Sequence, residues 1–567
     1  MKKVLIANRG EIAVRIARGC ADYGIASVAV YADADADALH VRTATEAWAL
    51  PGTTPAQTYL DAAKLLAVAR ASGADAVHPG YGFLSEDAGF ARAVEDAGLT
   101  WIGPTPDTIE RLGDKTAARE IARSVGAPLA AGTPGPVSGV EEVLAFAREH
   151  GLPLVVKAAF GGGGRGMRVV HDLEEVPEAY DSAVREAVAA FGRGECFVEQ
   201  YLERPRHVEA QVVGDGRGSV VVVGTRDCSV QRRNQKLVEE APAPFLTAAQ
   251  HEAVVTAAQK ICAAVDYRGA GTVEFLVGAG GVVSFLEVNT RLQVEHPVTE
   301  ATTGIDLVRQ QFLVADGLPL EVAKTPAPRG HAFEFRLNAE DPGRGFLPTP
   351  GAVERLDLPG GPGVRVDSGV TTGSVVAPAF DSLVAKLVVH GRDRRHALRR
   401  ARQALAELRL DGFPTVAGFH RRLLEDPAFT DDFAVHTRWI ETECDWLGDL
   451  AADRPLPPSD DAVVRTWVEL DGRRFTLALP AGLAQANPAP VAPRAVTDDA
   501  VLSAPVGGSL VGWDVVDGQE VRVGEHLGAI EAMKMETPLL AHRAGRIQLT
   551  ATPGRQFPEG AELARIG

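Results

Sequence analysis

A lysine set between two methionines, Glu531-Ala-Met-Lys-Met-Glu-Thr537, is the first spacing in this chain that asks for chemistry. Only four of the 567 residues are methionine, so two of them flanking Lys534 form a pattern. A tip lysine on a compact module is a long, rotatable arm; the plainer reading is an exposed hairpin lysine beside two packing methionines. A second signal is Lys157-Ala-Ala-Phe-Gly-Gly-Gly-Gly-Arg-Gly-Met167. Consecutive glycines let backbone N–H groups close around phosphate oxygens without side-chain clash. Alone, such a run is equally a bare flexible loop, and it lacks the endings of a P-loop or dinucleotide fingerprint. The third signal pairs Thr272-Val-Glu-Phe275 with Phe285-Leu-Glu-Val-Asn-Thr-Arg-Leu-Gln-Val-Glu-His-Pro297. Glu274, Glu287 and Asn289 make a hard-oxygen set suited to Mg²⁺. An acid inside an apolar strand is costly to bury unpaired, and a metal supplies the reason for it. Glu287, Asn289, Arg291, Gln293 and Glu295 are expected to alternate along one strand face.

The elements that must position these residues read as several domains, since 567 residues exceed what one core usually serves. Val4 to Ala7, Ala26 to Tyr31, Ala74 to His78 and Thr100 to Ile102 are strand-like runs separated by helical spacing, the βαβ pattern of a parallel sheet. The turns Asn8-Arg9-Gly10-Glu11 and His78-Pro79-Gly80-Tyr81-Gly82 fall where strands end, the usual ligand-facing edge. After Gly132-Thr-Pro-Gly-Pro136 come strands at Leu154 to Lys157 and Arg168 to Val170, then a helix from Leu173 to Phe191. Residues 206 to 300 carry long β runs, and 331 to 446 turn from strands to helices. A hairpin is expected over 462–480 around Asp471-Gly472. The Pro/Ala stretch 486–493 reads as an extended linker, and the Gly-punctuated 501–567 as a small all-β module.

Composition excludes several classes. The net charge of −17 argues against nucleic acid or an anionic membrane as partner. No apolar run approaches the ~20 residues of a membrane span. Five scattered cysteines, with no CxxC pair, fit a reducing cytoplasm better than a disulfide framework.

In this order the motifs resemble biotin carboxylase followed by a biotinyl (biotin carboxyl carrier) domain. They are Ile6-Ala-Asn-Arg-Gly-Glu-Ile12, His78 to Glu86, Gly113-Asp-Lys115, the glycine loop, Glu199-Gln-Tyr-Leu202, Arg206-His-Val-Glu-Ala-Gln211, Arg232-Arg-Asn-Gln-Lys236, Glu240-Ala-Pro-Ala-Pro244, the metal strand, and Arg336-Leu-Asn-Ala-Glu-Asp341. Ala504-Pro505 opens the last module as in the biotinyl family, and Met533 and Met535 favour biotin over lipoate. The resemblance implies an α/β and α+β architecture in five parts. Residues 1–113 are a Rossmann-like (pre-ATP-grasp) N-terminal domain, and 114–330 an ATP-grasp domain with its lid at about 132–203. Residues 331–446 are the biotin carboxylase C-terminal domain, 447–500 a hairpin and linker, and 501–567 an all-β hammerhead biotinyl domain.

It also implies roles. Lys534 carries covalent biotin. Lys115, Lys157 and the loop with Gly162, Gly163 and Gly164 hold ATP phosphates, while Glu199, Leu202, His207 and Asn234 line the nucleotide pocket. Glu274, Glu287 and Asn289 take Mg²⁺ or Mn²⁺. Lys236, Arg291, Gln293 and the Val294 backbone cradle bicarbonate, Glu295 is the general base, and Arg336 stabilises charge on the biotin ureido group. A salt bridge from Arg336 to Glu340 or Asp341 is the structural alternative. Where bacterial biotin carboxylases often carry His, this chain has Asn234, which donates a hydrogen bond but has no acid–base role.

Nothing between 446 and 500 is long enough for a carboxyltransferase. The resemblance therefore implies the α subunit of a two-component acyl-CoA carboxylase of the actinobacterial type. Its partners would be a carboxyltransferase β subunit, biotin protein ligase and further copies of itself, with acetyl-CoA or propionyl-CoA as the final acceptor. Two alternatives stand beside it: an ATP-grasp carboxylate–amine ligase, which has no use for Lys534, and a non-catalytic biotinylated carrier.

Overall fold

Short apolar runs at the start of the chain become parallel strands because helices cover both faces. The strands run in the order Glu46–Ala49, Ala26–Tyr31, Lys3–Ile6, Ala76–His78, Thr100–Trp101, all parallel. Val4, Leu5 and Ile6 have no solvent exposure, and the helix Gly10–Tyr23 packs its apolar side on this sheet. The computed structural model describes residues 1–158, 167–191, 193–278, 280–452, 463–470, 473–480, 500–533 and 535–567. Lys534, the glycines 161–164 and the linker 486–493 lie outside them.

Residues 132–203 build a separate small layer. Its three strands, Met167–Val170, Leu154–Ala158 and Cys196–Gln200, are antiparallel and backed by the helices Val140–His150 and Val176–Phe191. The helix expected from Leu173 starts later, because Leu173–Glu175 closes a 3-10 turn under a capping box at Asp172.

The main sheet has eight antiparallel strands, in the order Val283–Asn289, Arg268–Val277, Arg206–Asp215, Val220–Arg232, Gln235–Ala241, His331–Asn338, Leu383–Gly391, Val364–Ser368. Gln235–Ala241 pairs with His331–Asn338, so the sheet runs unbroken across the expected boundary at 330/331. That boundary separates chain segments, not layers. One side of the sheet is packed by the helix Ala248–Ala263, and its far end by Arg394–Glu407 and Ala417–Leu423. Val463–Leu470 and Arg473–Pro480 pair as a hairpin; the turn residues 471–472 are outside the described set.

The last module is all β. Two four-stranded sheets, built around Glu562–Ile566 and His526–Ala532, enclose a core of Leu510, Leu527, Ile530, Ile547, Leu563 and Ile566. All five cysteines are unpaired. No helix among the described residues is long and apolar enough to cross a membrane.

Candidate functional site

Cross-strand register assembles the acids. Glu274 lies directly opposite Glu287, and Thr272 opposite Asn289, so alternation brings the two carboxylates and the amide to one place. On the neighbouring strand Glu209 pairs with Glu274. On the far side of Arg206–Asp215, a two-residue turn at Arg233 and Asn234 has positive φ at both positions, 47° and 64°. That turn type fits the right-handed twist of a hairpin and delivers Lys236 at the start of the returning strand. Asn234 itself stands at the exposed tip.

Lys236 is the hub. Its ammonium donates to Glu209, to Glu295 Oε1 at 2.7 Å and to Glu274 Oε1 at 3.1 Å. Arg226, with no solvent exposure, holds the other Glu209 oxygen through two N–H groups at 3.0 and 3.1 Å. Burial works to raise the Glu209 carboxyl, but Lys236 and Arg226 outweigh it and hold the group well below the carboxylate range. Burial also opposes ionisation of Glu274, and Lys236 and His207 reverse it. His207 Nε2 is 2.9 Å from Glu274 Oε2, a charge contact rather than an aligned hydrogen bond. Burial would lower this imidazole; Glu274 overrides that and lifts it to about 9. Such mutual compensation is what permits so many charges to be buried at all.

The run from Arg291 to Glu295 corrects the sequence expectation. The strand ends at Asn289; Arg291, Gln293 and Glu295 come from the connection to the helix His296–Thr303, where Glu295 is the N-cap residue. They still converge. Asn289 and Gln293 donate to Glu274 Oε1 at 2.8 and 3.1 Å. Arg291 donates to Asn289 Oδ1 at 3.0 Å and to Gln293 Oε1 at 3.1 Å. Glu86, from the His78–Glu86 motif, accepts from Arg291 Nε at 2.8 Å and from the Thr290 amide at 3.1 Å.

Glu295 is fully buried and bridges two cations, Lys236 on one oxygen and Arg336 on the other at 3.0 Å. Burial would raise it; Lys236 and Arg336 keep it ionised and low. Arg336 also donates to Glu239 Oε1 at 2.6 Å. Arg336 thus does form salt bridges to nearby acids, but to Glu239 and Glu295, while Glu340 accepts from Asn338 and Ser382. Glu239, buried with its second oxygen unpartnered, is pushed up to about 7 by burial against the pull of Arg336.

The outer part of the site is more open. Lys115, in the first turn of the helix Lys115–Ser124 capped by Asp114, is mostly exposed and 3.6 Å from Glu287. Lys157 pairs with Glu199 at 2.6 Å, and Arg119 approaches the same carboxylate at 3.3 Å. Leu202 lies beside Gly278, where an added Cβ would meet it at 3.4 Å. Gly162, Gly163 and Gly164 are outside the described residues. Hard carboxylate oxygens at Glu274 and Glu287, with an amide beside them, fit a dication that takes the place of the N–H donors now on Glu274. A fixed cation pair, ionised acids and exposed lysines at the rim suit the binding of two anions and proton removal between them.

Residues 1–109 match "Biotin carboxylase, N-terminal domain", 114–323 "Carbamoyl-phosphate synthase L chain, ATP binding domain", 334–442 "Biotin carboxylase C-terminal domain" and 500–566 "Biotin-requiring enzyme". The chain is 56% identical, over its full length and 98% of the relative's, to a biotin-dependent acyl-coenzyme A carboxylase alpha3 subunit of Mycobacterium leprae. It is 47% identical to a biotin carboxylase of Pseudomonas aeruginosa, over 76% of this chain and 96% of that one. Among solved structures, the biotin carboxylase domain of the Hydrogenobacter thermophilus 2-oxoglutarate carboxylase, in complex with MgADP, ADP and bicarbonate, superposes with a TM-score of 0.71 at 43% identity. It covers 79% of this chain and 98% of its own.

Proposed function

This chain belongs to the biotin-dependent carboxylases, as a biotin carboxylase continued by a biotinyl domain, and on that premise we propose how it works and what it serves. It uses ATP and bicarbonate to carboxylate a biotin attached to Lys534. It then passes the carboxylate to a separate carboxyltransferase β subunit acting on acetyl-CoA, propionyl-CoA or both. The observation that carries the reading is Glu295 held between Lys236 and Arg336, which joins an anion-binding lysine to a guanidinium across one base.

Lys115 and Lys157 hold the ATP phosphates, and Glu274, Glu287 and Asn289 would hold Mg²⁺ or Mn²⁺, which would supply charge neutralisation for the moving phosphoryl group. Lys236, Arg291, Gln293 and the Val294 backbone cradle bicarbonate. As Lys236 turns to that anion, Glu295 loses its strongest lowering partner and its proton affinity rises toward what a general base needs. Glu295 removes the bicarbonate proton, the freed oxygen attacks the γ-phosphorus, and ADP leaves. The carboxyphosphate formed splits to CO₂ and phosphate in the cradle, and a biotin arm placed there would give its ureido N–H proton to that phosphate as the nitrogen takes up the CO₂. Biotin, when attached, supplies that nitrogen as carboxylate acceptor on a long arm; Arg336 stabilises negative charge on the ureido oxygen. Glu209, not singled out in the sequence, orients Lys236.

We assign the domains as 1–113, 114–330, 331–446, 447–500 and 501–567, place the enzyme in the cytoplasm on its free cysteines, and take biotin protein ligase and a second copy as further partners. The test is avidin capture from the native host with whatever co-purifies, followed by ATP-dependent fixation of labelled bicarbonate into a panel of acyl-CoAs. Label in acetyl-CoA or propionyl-CoA supports the reading. ATP turnover indifferent to bicarbonate contradicts it.

A further inference from the structure

The strands His526–Ala532 and Met535–Leu540 pair through Ala532 and Met535, and Met533 follows the first of them directly. Its φ of 50° is a conformation that a non-glycine residue adopts mainly when the surroundings demand it. A methionine in that position would ordinarily sit in water. Here it is 4% exposed, buried in a cluster with Ala339, Val353, Val376, Val384 and Phe413, all from the carboxylase C-terminal domain. The Met533 amide donates to the Pro378 carbonyl at 3.2 Å.

A second contact fixes the module's orientation. Arg344 reaches Glu559 at 3.2 Å and the Pro505 carbonyl at 3.3 Å, while Leu347 packs against the core of the biotinyl domain. Both members of the ion pair are substantially exposed, so it contributes register more than affinity. The seat also lies close to the chemistry. Ala339 follows the strand His331–Asn338 and is three residues from Arg336, roughly 10 Å along an extended chain.

We propose that this contact is a docking latch in which Met533, with Arg344 and Glu559 at its polar rim, seats the carrier on the carboxylase of its own chain for the carboxylation half of the cycle. The proposal rests on the reading of Lys534 as the biotin-bearing lysine. Two small apolar contacts, Met533 in its seat and Leu347 against the biotinyl core, hold the carrier at the carboxylase yet let it leave for the β subunit.

The test uses the full-length biotinylated chain, with each variant normalised to its avidin-bound fraction. Met533→Ala is expected to slow single-turnover labelling of its own biotin roughly tenfold, the effect of removing one buried anchor. Carboxylation of free biotin stays unchanged. Arg344→Glu, which leaves the biotinyl domain untouched, slows self-labelling about threefold, and adding Glu559→Arg restores it. Should Met533→Ala escape biotinylation, the Arg344 pair decides. Unchanged self-labelling in the variants overturns the latch, and a labelling rate that rises with protein concentration overturns its intrachain form. A wild-type chain that fails to carboxylate free biotin, or fails to bind avidin, refutes the underlying reading instead.

Discussion

The ammonium of Lys386 lies 2.8 Å from the carbonyl oxygen of Val294 and 3.1 Å from Glu11 Oε1, on a side chain with no solvent exposure. Burial would lower this lysine, and Glu11 raises it instead, so it stays charged beneath the bicarbonate cradle. Lys386→Met should raise the KM for bicarbonate with little change in that for ATP. Orphaning Glu11 should also cost about 3–5 kcal/mol of stability. Adding Glu11→Gln should recover much of the Tm without recovering bicarbonate affinity, a split that thermal melts and steady-state kinetics read directly.

Glu295→Gln keeps the shape of the bridge and removes the base. Carboxylation should fall by about 10²–10⁴-fold while ATP binding is retained, measured as kcat beside a nucleotide Kd. Equal losses in both would contradict the role given to Glu295.

Arg336 holds Glu239 and Glu295 with different nitrogens, a geometry that lysine cannot reproduce. Arg336→Lys should lower the biotin-dependent rate by about 10²–10³-fold. Slow bicarbonate-dependent release of phosphate from ATP should survive. Comparing the two rates in one preparation checks it.

His78 makes a pH prediction. Its Nδ1 accepts from the Gly80 amide at 3.0 Å and its Nε2 lies 3.2 Å from Gln311, so the ring must be neutral. Burial lowers it to about 4 from an ordinary 6.5. A depressed histidine contributes stability above pH 6.5 that is lost as pH falls toward 4, on the order of 2 kcal/mol by pH 5. Thermal melts of His78→Gln should show a shallower fall between those pH values than the wild type. Parallel curves would contradict this.

Sequence alone marks Glu274 and Glu287, because an acid inside an apolar run is costly unless a partner or ligand meets it; Lys236, Arg291, Glu295 and Arg336 take their roles only through the family resemblance of their motifs. It misplaces the secondary structure beneath them: alternation from Glu287 to Glu295 looks like a strand, yet the strand stops at Asn289. Glu209 is signalled only weakly, as the middle of His207, Glu209 and Gln211 on one strand face. The supports formed by Glu11 with Lys386 and Glu86 with Arg291 join residues hundreds of positions apart, and no local periodicity marks such pairs. The seat of Met533 is hidden for the same reason.

Labelled bicarbonate and ATP, given to the full-length biotinylated chain and to Lys534→Arg, test the central claim most directly. Acid-labile label is expected on the wild-type chain, blocked by avidin and absent from Lys534→Arg. No ATP-dependent label on the wild type, or equal label on Lys534→Arg, would contradict it.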